Sequence, residues 1–214
     1  EELGCDIRFG HRLAGAEREG DRLSALQVLG PVGPYRLPAR QAVLALGNSA
    51  RDTFEVLYRS GVAMEAKPLA VGVRIEHLQA DIDAAQYRAL AGHPRLPASS
   101  YKLSCHLPDG RGVFSFCVCP GGSVVAAASE AEGAVTNGMS LYARDGANIN
   151  GGLLVGVTPA DFGGEGPLAG IAFQRELEAR AYRAGGGGFI APAQRVEDFL
   201  ARRASTGPGR VLPT

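Results

Sequence analysis

The sequence has no tryptophan and no surplus of either charge: 22 Lys and Arg balance 22 Asp and Glu over 214 residues, and the pI is near 7.1. Nucleic-acid binders normally carry a basic excess or stripe, so the balance argues against that class. Also lacking is any apolar run close to the ~20 residues that a membrane-spanning helix needs. The longest runs, around residues 42–46, 124–128 and 153–157, have strand length. The 4 cysteines have no recurrent spacing, which excludes a secreted disulfide scaffold. No signal peptide precedes Glu1, so the expected compartment is the cytoplasm. What the chain does have is glycine, with 30 residues, about twice the usual share of roughly 7%. These glycines follow no collagen period and fall between apolar runs, where they mark turns, bulges and close backbone approaches. A hydrophobic content of 45% at zero net charge excludes a disordered chain. It is enough for one large domain or two small ones.

Both ends read as cut. Glu1 is not an initiator methionine, and Glu1–Gly4 reads as the last turn of a helix stopped by glycine. Ser205–Thr214 holds two prolines and two glycines and no closing element. The expectation is a piece of a longer protein.

Residues 5–47 read as β structure. Ile7 and Phe9 alternate with Asp6 and Arg8. Turns at Glu19–Asp21 and Pro31–Pro34 divide a meander, and the apolar run Gln41–Gly47 predicts one further buried strand. Ser49 is a suitable N-cap for a helix with Phe54, Leu57 and Tyr58 on its apolar stripe, ending at Gly61. Ala70–His77 alternates with period two: Val71, Val73, Ile75 and His77 on one face, Ala70, Gly72, Arg74 and Glu76 on the other. A helix over residues 78–87 and a loop over 91–100 follow. Residues 101–106, 112–119 and 123–129 predict strands, 130–152 a loop-rich stretch, and 153–157 another strand. Ala169, Phe173, Leu177 and Ala181 share a helix face, while Glu176 and Arg180 can pair across a turn. Gly185–Gly188 stops that helix, and a second one begins near Pro192 with Val196, Phe199 and Leu200 inward. Strands first and helices later predict an α+β fold, or a β-rich insert in an α/β enzyme.

Chemistry could reside in three places. The strand-to-helix junction at Ala45–Asp52 places Gly47 where a ligand can approach the backbone, and the helix amides around Ala50 and Arg51 favour an anionic or polar group; a routine turn with a serine N-cap is the alternative. It is not a G-x-S-x-G nucleophile elbow, since Arg51 holds the last glycine position. Cys117 and Cys119 fall on one strand face with Ser115, with Cα atoms ~6.6–6.8 Å apart, at the limit of disulfide geometry. They read either as a redox pair or as unreactive buried cysteines. The clusters Thr136–Met139 and Ala143–Asn148, which include Asn137, Arg144 and Asp145, form a glycine-punctuated polar loop that could line a binding site or face solvent. The cysteines and histidines offer no metal-ligand spacing, and Gly185–Gly188 is not a phosphate loop.

Several ordered motifs go further: Ala45–Asp52 (ALGNSARD), Ala66–His77 (AKPLAVGVRIEH), Gly112–Gly122 (GVFSFCVCPGG), Thr136–Ser140 (TNGMS), Ala143–Asn148 (ARDGAN), Pro167–Glu178 (PLAGIAFQRELE) and Pro192–Leu200 (PAQRVEDFL). In order and along nearly the whole chain, they resemble the uncharacterised bacterial FAD-dependent dehydrogenase (oxidoreductase) family. That family carries an N-terminal G-x-G-x-x-G unit for the FAD pyrophosphate and a glycine-rich FAD-contacting segment near its C-terminus, and neither is present in these 214 residues. The resemblance implies the central, substrate-side portion of an FAD-dependent oxidoreductase, a fragment inactive by itself. Residues 1–65 would be the remainder of an FAD-binding domain (meander, return strand, helix), 66–204 an α+β substrate-side domain, and 205–214 a tail. Gly47, Asn48, Ser49 and Asn137 would contact FAD. Cys117, Cys119, Arg144 and Asp145 would line the reactive face opposite a small-molecule substrate, with NAD(P)H as a candidate electron donor and no metal. A non-catalytic ligand-binding or interaction module is the competing reading.

Overall fold

The computed structural model describes residues 4–207. Three strands open it, β1 (Arg12–Glu19), β2 (Arg22–Gly30) and β3 (Gly33–Pro38), paired antiparallel in sequence order. Gly20, at φ +60°, takes the left-handed first position of the β1–β2 turn, which is why glycine stands there. Ala25 and Val28 on the middle strand are buried. Helix α1 (Arg51–Arg59) packs near β1, where Ser60 Oγ accepts the Ala16 amide at 3.3 Å. Gly61, at φ +76°, closes the helix: its amide donates to Tyr58 O and that of Val62 to Leu57 O, the paired bonds of a Schellman motif. These elements form one compact unit, residues 1–66, to which 166–171 also belong.

The second unit takes residues 67–165 and 172–214. Its main sheet has the order β4 (Leu69–Leu78), β9 (Asn148–Val157), β6 (Gly112–Cys119), β5 (Ser104–His106), with every neighbouring pair antiparallel. β7 (Gly122–Ala126) and β8 (Thr136–Ser140) form a separate hairpin. α2 (Gln79–Tyr87) follows β4 directly and leads into a 3-10 turn at Arg88–Leu90. α3 (Ala169–Gly185) and α4 (Val196–Leu200) complete the chain. Ile149, Cys119, Val157 and Phe162 are buried, and the Phe162 and Phe173 rings lie 5.5 Å apart. The architecture is α+β. No helix among the described residues is long and apolar enough to cross a membrane.

Several expectations are corrected. Residues 4–11 are irregular, with Phe9 87% exposed, so the Ile7/Phe9 alternation is not a strand. Gln41–Gly47 is not a strand either: no described strand pairs with it, and Val43 is 95% exposed. A strand needs a hydrogen-bonded neighbour to hold its backbone, and apolar composition cannot supply one. Ser49 does not cap α1. Ala50 occupies the N-cap without a side-chain bond, while the Ser49 hydroxyl donates to Asn48 Oδ1 at 3.3 Å. On α4 the inward residue is Asp198, held by Arg203 and Ser205, and Val196, Phe199 and Leu200 face out. The stretch 130–152 is more ordered than its composition suggests, since it contains β8 and the first half of β9. Glu1–Leu3 and the end of the tail lie outside the described residues.

Candidate functional site

Strand register sets the site in the second unit. Residues directly opposite across an antiparallel pair share a face. Arg74 stands opposite Gly152 and Gly152 opposite Phe116; one row along, Glu76 stands opposite Asn150 and Asn150 opposite Cys119. Between these rows β9 advances two residues and β6 three, which is a β-bulge. Cys117 sits in it at φ +46°, a left-handed conformation that disfavours any side chain. The extra residue breaks the alternation, so Cys119 joins the face of Phe116 rather than that of Ser115. The predicted shared face of Cys117, Cys119 and Ser115 therefore does not form. Both thiols are free, Cys117 exposed and Cys119 buried.

Arg74 gathers the cluster. Its Nη1 donates to Asn150 Oδ1 at 2.6 Å and to the Cys117 carbonyl at 3.2 Å, and its Nη2 donates to Asn137 Oδ1 at 3.4 Å. Asn137 Oδ1 also accepts the Gly138 amide at 2.8 Å. Cys119 Sγ donates to the Cys117 carbonyl at 3.4 Å. Burial, and then the neighbouring Cys117, push the Cys119 thiol up, against a smaller pull from Arg74. Cys119 is thus a neutral thiol at neutral pH, and Cys117 is the accessible one. Burial also raises the Glu76 carboxyl, partly offset by the bond from Asn148 Nδ2.

A second network fixes the loops beside this cluster. Gln79, the first residue of α2, accepts the Gly121 amide at 2.8 Å on Oε1, while its own amide donates to Ala147 O at 2.9 Å. Its Nε2 donates to Asp83 Oδ1 and Ser99 O. Burial drives the Asp83 carboxyl up, but the Ser99 hydroxyl, the Ser99 amide and Gln79 more than offset this and hold it below the ordinary range. Gly121, at φ +53°, lies against the backbone of Arg144 and Asp145, and the Gly146 amide donates to Gly121 O at 3.2 Å. Arg144 and Asp145 are exposed on this loop, Arg144 at φ +53°.

Of the residues singled out in the sequence, Asn137 joins Cys117 and Cys119 around Arg74, and Arg144 and Asp145 occupy the loop that stacks on Gly121. Gly47, Asn48 and Ser49 belong to the first unit. They form an exposed turn in which Gly47 has φ +71° and open space where a Cβ would stand. Sequence reasoning missed Arg74, Asn150 and Gln79. The available signal for Arg74 was a lone cation at strand period among small residues, and for Asn150 a polar residue inside the NINGG run. Among the described residues no group of three or more His, Cys, Asp or Glu could hold a metal ion.

A protein of Clostridium beijerinckii, described only as an uncharacterized protein, is 46% identical over 213 residues, which is 99% of this chain and 39% of that protein. The chain therefore spans well under half the length of this relative. Residues 68–214 match the family described as "FAD-dependent protein, C-terminal domain-like". They contain every residue of the Arg74 cluster and the Gln79 network, and the chain belongs to this family of FAD-dependent proteins.

Proposed function

We propose that the chain is the substrate-side portion of an FAD-dependent oxidoreductase, part of a dehydrogenase acting on a small molecule. The observation that carries this reading is the family match over residues 68–214. The residues present suit the cofactor. Gly47 offers an open, side-chain-free backbone at the entrance to α1, whose N-terminus has no side-chain cap to compete with a ligand. Asn137 is an exposed polar group beside Arg74. In this reading Gly47, Asn48, Ser49 and Asn137 hold the cofactor. FAD, when bound, would take the hydride or electrons removed from substrate.

The chain's own residues orient the substrate and set the local electrostatics. Arg144 and Asp145 lie on an exposed loop pinned to Gly121, and in this reading they face the substrate. Cys117 is the accessible thiol at the same site, with Cys119 beneath it as a neutral group. NAD(P)H is the alternative electron donor, reducing the flavin in place of the substrate. The intact protein extends beyond these residues, in keeping with the 39% coverage of the relative.

The test is substrate-dependent flavin reduction in the intact protein, comparing wild type with Arg144→Ala and Asp145→Ala. Reduction lost in either variant with folding intact supports the reading. Unchanged turnover in both would favour a non-catalytic binding module instead. The thiol-redox version fails separately if the Cys117→Ser/Cys119→Ser protein keeps full flavin turnover.

A further inference from the structure

Arg74 carries its charge without a counter-charge. Its acceptors are Asn150 Oδ1, the Cys117 carbonyl and Asn137 Oδ1, all neutral. No described carboxylate lies within ion-pairing distance of it, and Glu76, the acid nearest in its strand, accepts from Asn148 instead. A guanidinium has five N–H donors in a fixed fork. The bonds above leave the Nε–H and one Nη2 proton without an acceptor among the described residues. The ground beneath is also rich in donors. Asn150 is fully buried with its Oδ1 committed to Arg74, and its Nδ2 has no partner among the described residues. Gly138 makes room for this arrangement, because a Cβ there would run into Asn150 Oδ1, Arg74 Nη1 and Cys119 Sγ.

We propose that Arg74, oriented by Asn150, Asn137 and the Cys117 carbonyl, is a carboxylate-binding subsite that takes a small organic acid on its open Nε–H and Nη2–H donors. Two parallel N–H groups match the two oxygens of a planar carboxylate, a geometry that a lysine cannot reproduce. The subsite goes beyond the flavoprotein reading and does not depend on it, and FAD enters no step of the test.

Cys117 supplies the probe, since it is exposed and its carbonyl is an Arg74 ligand. Iodoacetate and iodoacetamide alkylate thiols by the same displacement, in which sulfur bonds to carbon as iodide leaves, but only iodoacetate carries a carboxylate. Cys5 and Cys105 are exposed and serve as references in the same molecule. The iodoacetate-to-iodoacetamide rate ratio at Cys117 is expected to exceed that at Cys5 and Cys105 by about fivefold, the scale of one unit charge ~4 Å away and screened as in water. It should fall to the reference ratio in Arg74→Gln. Benzoate should remove the advantage, and inorganic phosphate, which the same fork can also bind, should do so no better than benzoate. Equal ratios at the three cysteines would overturn the proposal, as would an advantage unchanged in Arg74→Gln or one removed by phosphate and not by benzoate. If Arg74→Gln does not fold, the wild-type ratio and the benzoate competition decide alone.

Discussion

Gly121 and Cys117 both adopt left-handed backbone within a few residues of each other, and their side chains make the consequences opposite. At Gly121 a Cβ would strike the carbonyl of Arg144, and φ is +53°. Gly121→Ala should therefore cost about 1–3 kcal/mol, measured as a lower urea midpoint. At Cys117 the strain is already present at φ +46°, and the side chain is exposed. Cys117→Gly should be neutral or stabilise by up to ~1 kcal/mol. Cys119→Gly should destabilise, because that thiol is buried. A loss of stability in Cys117→Gly equal to that in Cys119→Gly would contradict the bulge. Little of this was legible beforehand. The motif around Cys117 is visible in the sequence, but a bulge is a mismatch between two strands, and one strand's sequence does not contain its partner's register. Arg74 was readable as an isolated cation on β4. Its acceptors lie 43, 63 and 76 positions away, so only the folded sheet reveals that all of them are neutral.

Among the elements, α2 matters for its first residue more than for its length. Gln79 bonds to Gly121, Ala147, Ser99 and Asp83 and so joins the start of the helix to two loops. Gln79→Ala removes the partner of a buried amide and should cost about 1–3 kcal/mol. The same change should speed amide exchange at Gly121 and Gly146, and unaltered exchange at both would count against the clamp. The start of β6 is held differently: Arg111 pairs with Asp161, in the turn after β9, at 3.0 Å. Arg111, followed by the Thr158 amide and hydroxyl, holds the Asp161 carboxyl at about 2. A carboxylate held below its ordinary value of ~3.9 stabilises the fold above that value. The contribution is lost as pH falls toward about 2. The melting temperatures of wild type and Asp161→Asn should therefore differ by a constant amount from neutral pH down to about 5 and converge as pH approaches 2. A gap that persists to the acid limit would assign the effect to packing. The extents of β6 and α3 were legible in the sequence, although the bulge that breaks the alternation of β6 was not. Gln41–Gly47 was misread because a strand also depends on a neighbour to bond with.

At the scale of the molecule, the chain has two compact units, with the short segment 166–171 belonging to the first. The α+β character followed from the order of periodic segments. The inclusion of 166–171 in the first unit did not, because it is decided by contacts remote in sequence. The Arg74 cluster, the Gln79 network and the loop bearing Arg144 and Asp145 all fall in the second unit, within the matched residues 68–214. Gly47, Asn48 and Ser49 fall in the first. The most direct measurement is the near-ultraviolet and visible absorbance of the intact protein and of this 214-residue chain, each incubated with FAD and then desalted. The account predicts flavin bands retained by the intact protein and little retained by the chain alone. An intact protein that stays colourless would contradict it.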